Sequence, residues 1–202
     1  MYPPRPKNAI PSEDLNFYDN GSMLGQIKCN GSNCLIFMNE NHISVWNRHN
    51  SRLTNFNLDE NEIRSLYRGN GWMVINGEYM NKSKRGVDGQ VFNNKLIVFD
   101  ILVYNSEYLV GETFSRRVEI VEKLWDLRES NIDFMNKITE NCYLIKSYQN
   151  GFKNLFDKWT SVDMVEGLVL KRANAKLEIG GSENNNTKTQ LKSRKKTKLY
   201  QF

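Results

Sequence analysis

At 202 residues the chain can bury one sizeable core, and its 39% hydrophobic and 25% charged residues describe a folded globular protein. No apolar run approaches membrane-spanning length, and Met1-Tyr2-Pro3-Pro4-Arg5-Pro6 lacks the apolar segment of a secretory signal, so no membrane partner and a cytoplasmic setting are expected. The net charge of +5 is uneven, with Lys188, Lys192, Arg194, Lys195, Lys196 and Lys198 crowding one end; a polyanion would bind there, although a solvated tail accounts for such a cluster equally well.

Pro3, Pro4, Pro6 and Pro11 disfavour regular structure, so residues 1–14 are expected to run extended over the surface before a short element at Leu15–Tyr18. Met23–Lys28, Cys34–Met38 and Ile43–Trp46 are short apolar or β-branched runs divided by Asn, Gly and Ser, the pattern of an antiparallel meander. Residues 58–68 predict a short helix. Trp72–Met80 reads as a strand interrupted at Gly77, and Lys95–Tyr104 as a strand buried on both faces. Ser115 is the predicted N-cap of a helix through about Arg128, and Phe152, Leu155, Phe156 and Trp159 mark a second. Both stripes are expected to be core. Residues 180–190 predict a flexible loop, too polar to pack. Cys29, Cys34 and Cys142 have no metal-ligand spacing and an odd count, so reduced thiols are expected.

Three segments join a charged side chain to a glycine beside a strand-like run: Gln26-Ile27-Lys28-Cys29-Asn30-Gly31-Ser32-Asn33, Ile75-Asn76-Gly77-Glu78 and Glu166-Gly167-Leu168-Val169-Leu170-Lys171. Leu191-Lys192-Ser193-Arg194 closes the series. Strand ends and tight turns of this kind build nucleotide pockets. A lysine that attacks phosphorus must lose its proton, although its ordinary pKa is about 10.4. Neighbouring cations and partial burial both lower it.

In order and spacing these segments resemble the covalent nucleotidyltransferase superfamily of ATP-dependent DNA ligases, RNA ligases and mRNA capping enzymes. Lys28-Cys29-Asn30-Gly31 resembles the Lys-x-Asp-Gly motif, with Asn30 in place of the usual acid, and Asn33 sits where DNA ligases commonly carry arginine. Trp46-Asn47-Arg48-His49-Asn50 looks like the family's phosphate- or ribose-contacting turn. Glu78 matches a glutamate that binds ribose or metal, and Phe99 the ring that stacks on the purine. Glu166 and Lys171 fall on Glu-Gly-x-Val-x-Lys, and Lys192 and Arg194 on the last Lys-x-Lys/Arg motif, with Lys196 and Lys198 as an alternative pair.

The resemblance implies an α+β fold: a single ATP-grasp-like nucleotidyltransferase domain over residues 1–202, its antiparallel sheets flanked by helices. No OB-fold domain is expected, since only Lys195–Phe202 follow Arg194. It implies an ATP-dependent polynucleotide ligase, using ATP with Mg2+ or Mn2+, that seals nicks or breaks in DNA or RNA. Lys28, Lys171 and Lys192 would be catalytic. Gln26, Ile27, Asn33, Arg48, Glu78, Phe99 and Arg194 would complete the nucleotide site, with Glu78 and Glu166 towards metal. A monomer is expected, with an accessory protein as a further partner. A capping-type guanylyltransferase and an inactive nucleotide- or nucleic-acid-binding module are the alternatives.

Overall fold

A computed structural model describes residues 1–197 of the chain. The order begins with β1 (Asn8–Ala9), a 3-10 helix (Ser12–Tyr18), β2 (Met23–Cys29), β3 (Ser32–Asn39), β4 (His42–Asn47), α1 (Glu60–Arg64) and β5 (Met73–Met80). It continues with β6 (Lys84–Arg85), β7 (Val91–Phe92), β8 (Lys95–Tyr104), β9 (Glu107–Tyr108), α2 (Phe114–Lys123), β10 (Arg128–Glu129) and β11 (Met135–Lys137). β12 (Cys142–Ile145), α3 (Phe152–Trp159), β13 (Val165–Arg172), a 3-10 turn (Thr187–Thr189) and β14 (Gln190–Arg194) complete it.

The fold is α+β. One sheet has the order β1-β14-β13-β2; the large sheet runs β10-β11-β12-β8-β5-β3-β4 with β9 beside β8; β6 and β7 pair with each other. Pairing is antiparallel except between β1 and β14 and between β12 and β8. β8 coincides with the apolar run read from the sequence, and its alternation explains that run. Leu96 and Val98 enter a core shared with Ile63 of α1 and Val121 of α2, while Ile97 enters a second core with Ile27, Leu168 and Leu170 of the other sheet. Phe152, Phe156 and Trp159 of α3 are buried in that second core, as their spacing predicted.

Three expectations need correction. The N-cap of α2 is Thr113, whose Oγ1 accepts from the Arg116 amide at 3.2 Å, whereas the Ser115 hydroxyl donates to the Ala173 carbonyl at 2.8 Å. The helix stops at Lys123, and Arg128 lies in β10. Residues 1–14 are not extended throughout: Pro3 and Pro4 are buried, β1 pairs with β14, and the 3-10 helix starts at Ser12. The stretch 180–190 is exposed over residues 181–184 but is anchored beyond them. Asn185 and Asn186 are buried; Asn185 Nδ2 donates to Tyr2 O at 3.2 Å and Asn186 Nδ2 to Lys176 O at 3.0 Å. Both amide nitrogens serve backbone carbonyls, which offsets part of the cost of burying them, while Asn185 Oδ1 has no partner among the described residues.

Two glycines permit close backbone approaches, one where β2 turns into β3 and one between β13 and β14. A methyl group on Gly31 would stand 2.5 Å from the Tyr79 carbonyl oxygen, and one on Gly167, at φ +158°, 1.9 Å from that of Ser193. Gly167→Ala is expected to cost about 3 kcal/mol in urea unfolding. Gly181, whose surroundings are open, is the control: Gly181→Ala is expected to stay within about 0.5 kcal/mol of the parent.

Candidate active site

Alternate side chains of a strand share a face, so sheet register decides which charges meet. Gln26, Val169 and Lys192 form one row across β2, β13 and β14; Lys28, Gly167 and Arg194 form the next. In a regular strand Glu166 would face away from Val169 and Lys171. The register between β13 and β2 shifts between Val165 and Gly167, and such a bulge re-aims a side chain. The Glu166 carboxylate consequently ion-pairs with Lys28 Nζ through Oε2 and with Arg194 Nε, 2.8 Å away, through Oε1.

The large sheet forms the facing wall. Asn33 lies opposite Glu78 across β3 and β5, and Glu78 Oε1 accepts from the Gly31 amide at 3.0 Å. Asn33 Nδ2 donates to Asn76 Oδ1 at 2.9 Å, leaving Asn33 Oδ1 buried without a partner among the described residues. Phe99 is the extra residue of a second bulge, since Asn76 pairs with Asp100 but Gly77 with Val98. Its ring lies 4.7 Å from Lys171 Nζ, which also stands 4.4 Å from the Phe114 ring. Buried Gln26 donates from Nε2 to Phe99 O at 3.2 Å and Ser147 Oγ at 3.0 Å. Behind this wall Arg117 Nε and Nη2 hold the two oxygens of Asp100 at 2.9 and 3.0 Å, both residues almost wholly enclosed.

One cavity of about 510 Å³ lies between the walls. Gln26, Ile27, Lys28, Asn33, Arg48, Glu78, Phe99, Glu166, Lys171, Lys192 and Arg194 all line it. Lys196 does not, and Lys198 falls outside the described residues. His49 of the Arg48 turn also lines it, as do Arg5 and Lys7, which belong to no motif. Arg48 Nε donates to His49 Nε2 at 3.1 Å, and His49 Nδ1 lies 3.0 Å from Glu183 Oε1. Among the described residues, seven Lys or Arg thus line the cavity against two carboxylates, Glu78 and Glu166.

Burial and crowding show in the protonation equilibria. Burial pushes the Lys171 amine down to about 8; Asp100 opposes this and Arg117 reinforces it. Lys192 is lowered by burial, then by Arg194 and Lys28. Burial raises the Glu78 carboxyl, against Lys28 and the Gly31 amide. Cys29, Cys34 and Cys142 are free buried thiols, and burial raises each, Cys142 to about 12. No His, Cys, Asp or Glu trio gathers at a metal-binding point among the described residues. A Mg2+ ion bound with a nucleotide takes one or two protein carboxylates and completes its shell with phosphate oxygens and water, a demand that Glu78 and Glu166 fit.

The model of a family described as the ATP-dependent DNA ligase domain matches residues 7–190. The chain belongs to that family. Its fold resembles mycobacterial DNA ligase D complexed with ATP and MES, with a TM-score of 0.64 at 14% identity, covering 96% of this chain and 60% of that one. Chlorella virus DNA ligase-adenylate gives 0.55 at 14%, covering 97% and 69%. A Lig E DNA ligase gives 0.53 at 13%, covering 96% and 70%. No curated protein matches the chain. The ligase domain spans about three fifths of the mycobacterial chain, and no helix among the described residues is long and apolar enough to cross a membrane.

Lys171 titrates within reach of physiological pH, and its ammonium is the form that attracts phosphate. Affinity of the ligase domain for a non-hydrolysable ATP analogue is therefore expected to weaken as pH rises through about 8. Lys171→Met is expected to flatten this alkaline limb and lower affinity roughly tenfold below it, as isothermal titration at pH 6.5 to 9.5 would measure.

Proposed function

We propose that this domain activates polynucleotide ends with ATP and seals 5′-phosphate to 3′-hydroxyl in nicked DNA, carrying the adenylyl group on Lys28. The observation that carries the reading is the Lys28 amine, fixed by Glu166 beside Arg194 in a cavity whose other cations converge on the same space. The family match supports an adenylyl donor in the form of ATP.

In the first step the Lys28 nitrogen attacks the α-phosphorus. The N–P bond forms as the bond from that phosphorus to the bridging oxygen breaks, and pyrophosphate leaves with the electron pair. The Lys28 ammonium gives one proton to the Glu166 carboxylate it already touches before it attacks, and the second, released as the N–P bond forms, leaves with pyrophosphate. Lys171, Lys192 and Arg194 face the charge that develops on the phosphate oxygens, the main demand of such transfers. Mg2+ held near Glu78 and Glu166 would supply further charge neutralisation when bound.

Phe99 offers a ring face for the base, and Gln26 Oε1 is left to accept from the adenine amino group while its nitrogen is engaged by Phe99 O and Ser147. Asn33 Oδ1, buried and unpartnered, is suited to a ribose hydroxyl. Arg48 at the rim is suited to phosphate. The adenylyl group then passes to a 5′-phosphate, and attack by the 3′-hydroxyl on that phosphorus expels AMP.

Incubation with α-labelled ATP and magnesium is expected to leave label on the denatured protein, and Lys28→Ala to abolish it by about a thousandfold or more. Nicked duplex DNA should be sealed by the parent protein. Wild-type protein that never acquires label, or acquires it from GTP alone, would overturn the reading.

A further inference from the structure

Arg5 and Lys7 line the cavity from a segment that is held in place along its length. Tyr2 N donates to Gly180 O at 2.9 Å, Arg5 N to Asn185 O at 3.2 Å, and Ile10 N to Lys192 O at 3.0 Å. Ala9 stands opposite Lys192 in the parallel pairing of β1 with β14. Buried Pro3 and Pro4 restrict the backbone further. The segment is therefore a built wall of the site: Arg5 and Lys7 border the same cavity as Lys28, and the Arg5 charge is near enough to help lower the Lys192 amine.

The order β1-β14-β13-β2 gives that wall a direction. Lys28 lies on β2 at one side of the sheet, Lys192 on β14, and the Arg5–Lys7 segment leads into β1 at the far side. Three strand spacings separate β2 from β1, about 14 Å. Displacement at phosphorus proceeds roughly in line, so a leaving group departs on the side away from the attacking nitrogen. With the α-phosphate at Lys192, that side is occupied by Arg5 and Lys7.

Their present partners are exchangeable. Arg5 Nη1 lies 3.3 Å from Glu183 Oε2, a carboxylate that is 45% exposed, and Lys7 Nζ donates to Asn184 Oδ1, a neutral acceptor. A polyphosphate offers both cations stronger, charge-assisted bonds. His49 remains beside Glu183 when Arg5 turns away. We infer that Arg5 and Lys7 form a subsite for the β- and γ-phosphates of the bound nucleotide, the pair that leaves as pyrophosphate. The inference rests on the ligase reading for which nucleotide is bound, but its charge and geometry do not.

The test uses Arg5→Gln with Lys7→Gln, checked for an unchanged melting temperature, and Glu183→Gln. Binding of inorganic tripolyphosphate by calorimetry is expected to weaken at least tenfold in the double variant and to tighten a few-fold in Glu183→Gln. AMP binding should stay within twofold in both. Lys28 adenylylation at low ATP should fall at least tenfold in the double variant, while sealing of a pre-adenylated nick, which involves no polyphosphate, should stay within twofold. Tripolyphosphate binding that is absent in the parent or unchanged in the double variant overturns the subsite. Equal losses in adenylylation and pre-adenylated sealing also overturn it, placing Arg5 and Lys7 on nucleic acid. A parent that binds tripolyphosphate through these residues yet never becomes adenylylated keeps the subsite and sinks the ligase reading.

Discussion

The Glu166 carboxylate, set between Lys28 and Arg194, is the interaction on which the geometry of the site depends. It exists because β13 carries a bulge at that residue and because Gly167 lets β14 come within contact of the β13 backbone. Without the bulge the carboxylate would point to the opposite face of the sheet, and without the glycine β14 could not lie where Arg194 reaches it. Ion pairs on protein surfaces contribute little, but Lys28 and Glu166 are only about one fifth exposed, so water screens this pair less. The carboxylate fixes the amine at the end of β2 and offsets repulsion among the cations around it.

Burial of Lys171 shows the same site working against stability. Its folded pKa near 8 lies below the unfolded value of about 10.4, so folding binds fewer protons between those limits. The penalty for enclosing the charged amine is therefore present in full below pH 8 and is relieved as pH rises from 8 towards 10.4. Two ring faces and the nearby Asp100 carboxylate make the burial tolerable. Asp100 is in turn held by Arg117, a pair with no net charge whose two bonds and enclosure leave it little freedom to move. Arg117 serves the site from behind: it orients Asp100, and Asp100 keeps Lys171 more basic than burial alone would allow.

Much of this was legible in the sequence, and what escaped did so for identifiable reasons. β8 was readable because a strand packed on both faces needs a continuous apolar run. The motif residues could be collected because short spacing within strands places side chains on one face, as with Val169 and Lys171 or Lys192 and Arg194. Period-two reasoning alone fails at Glu166 and Phe99, because both sit at bulges, and a bulge is a property of two strands together. The cap of α2 was misplaced by two residues because Thr113 and Ser115 are both competent, and the choice turns on the Ala173 carbonyl, 58 residues away from Ser115. Arg5 and Lys7 carried no local signal, since only the pairing of β1 with β14 brings them to the cavity.

That pairing follows from a general need of sheets. β14 would otherwise be an exposed edge, with unpaired amides and carbonyls beside the most basic part of the cavity. On the opposite edge, Gly25 and Tyr148 exchange backbone hydrogen bonds of 2.8 and 2.9 Å, which closes β2 in the same way. Covering β14 with a short parallel segment rich in proline requires an anchor, because proline donates no backbone hydrogen bond and Asn8–Ala9 alone is too short to hold the chain. Asn185 provides it, its side-chain amide donating to Tyr2 O and its carbonyl accepting from the Arg5 amide. A stretch whose composition reads as loose is therefore the clasp that closes the sheet. The same clasp sets two additional cations at the cavity's border, next to the strand farthest from β2 in the sheet, so that edge protection and charge placement are one structural solution.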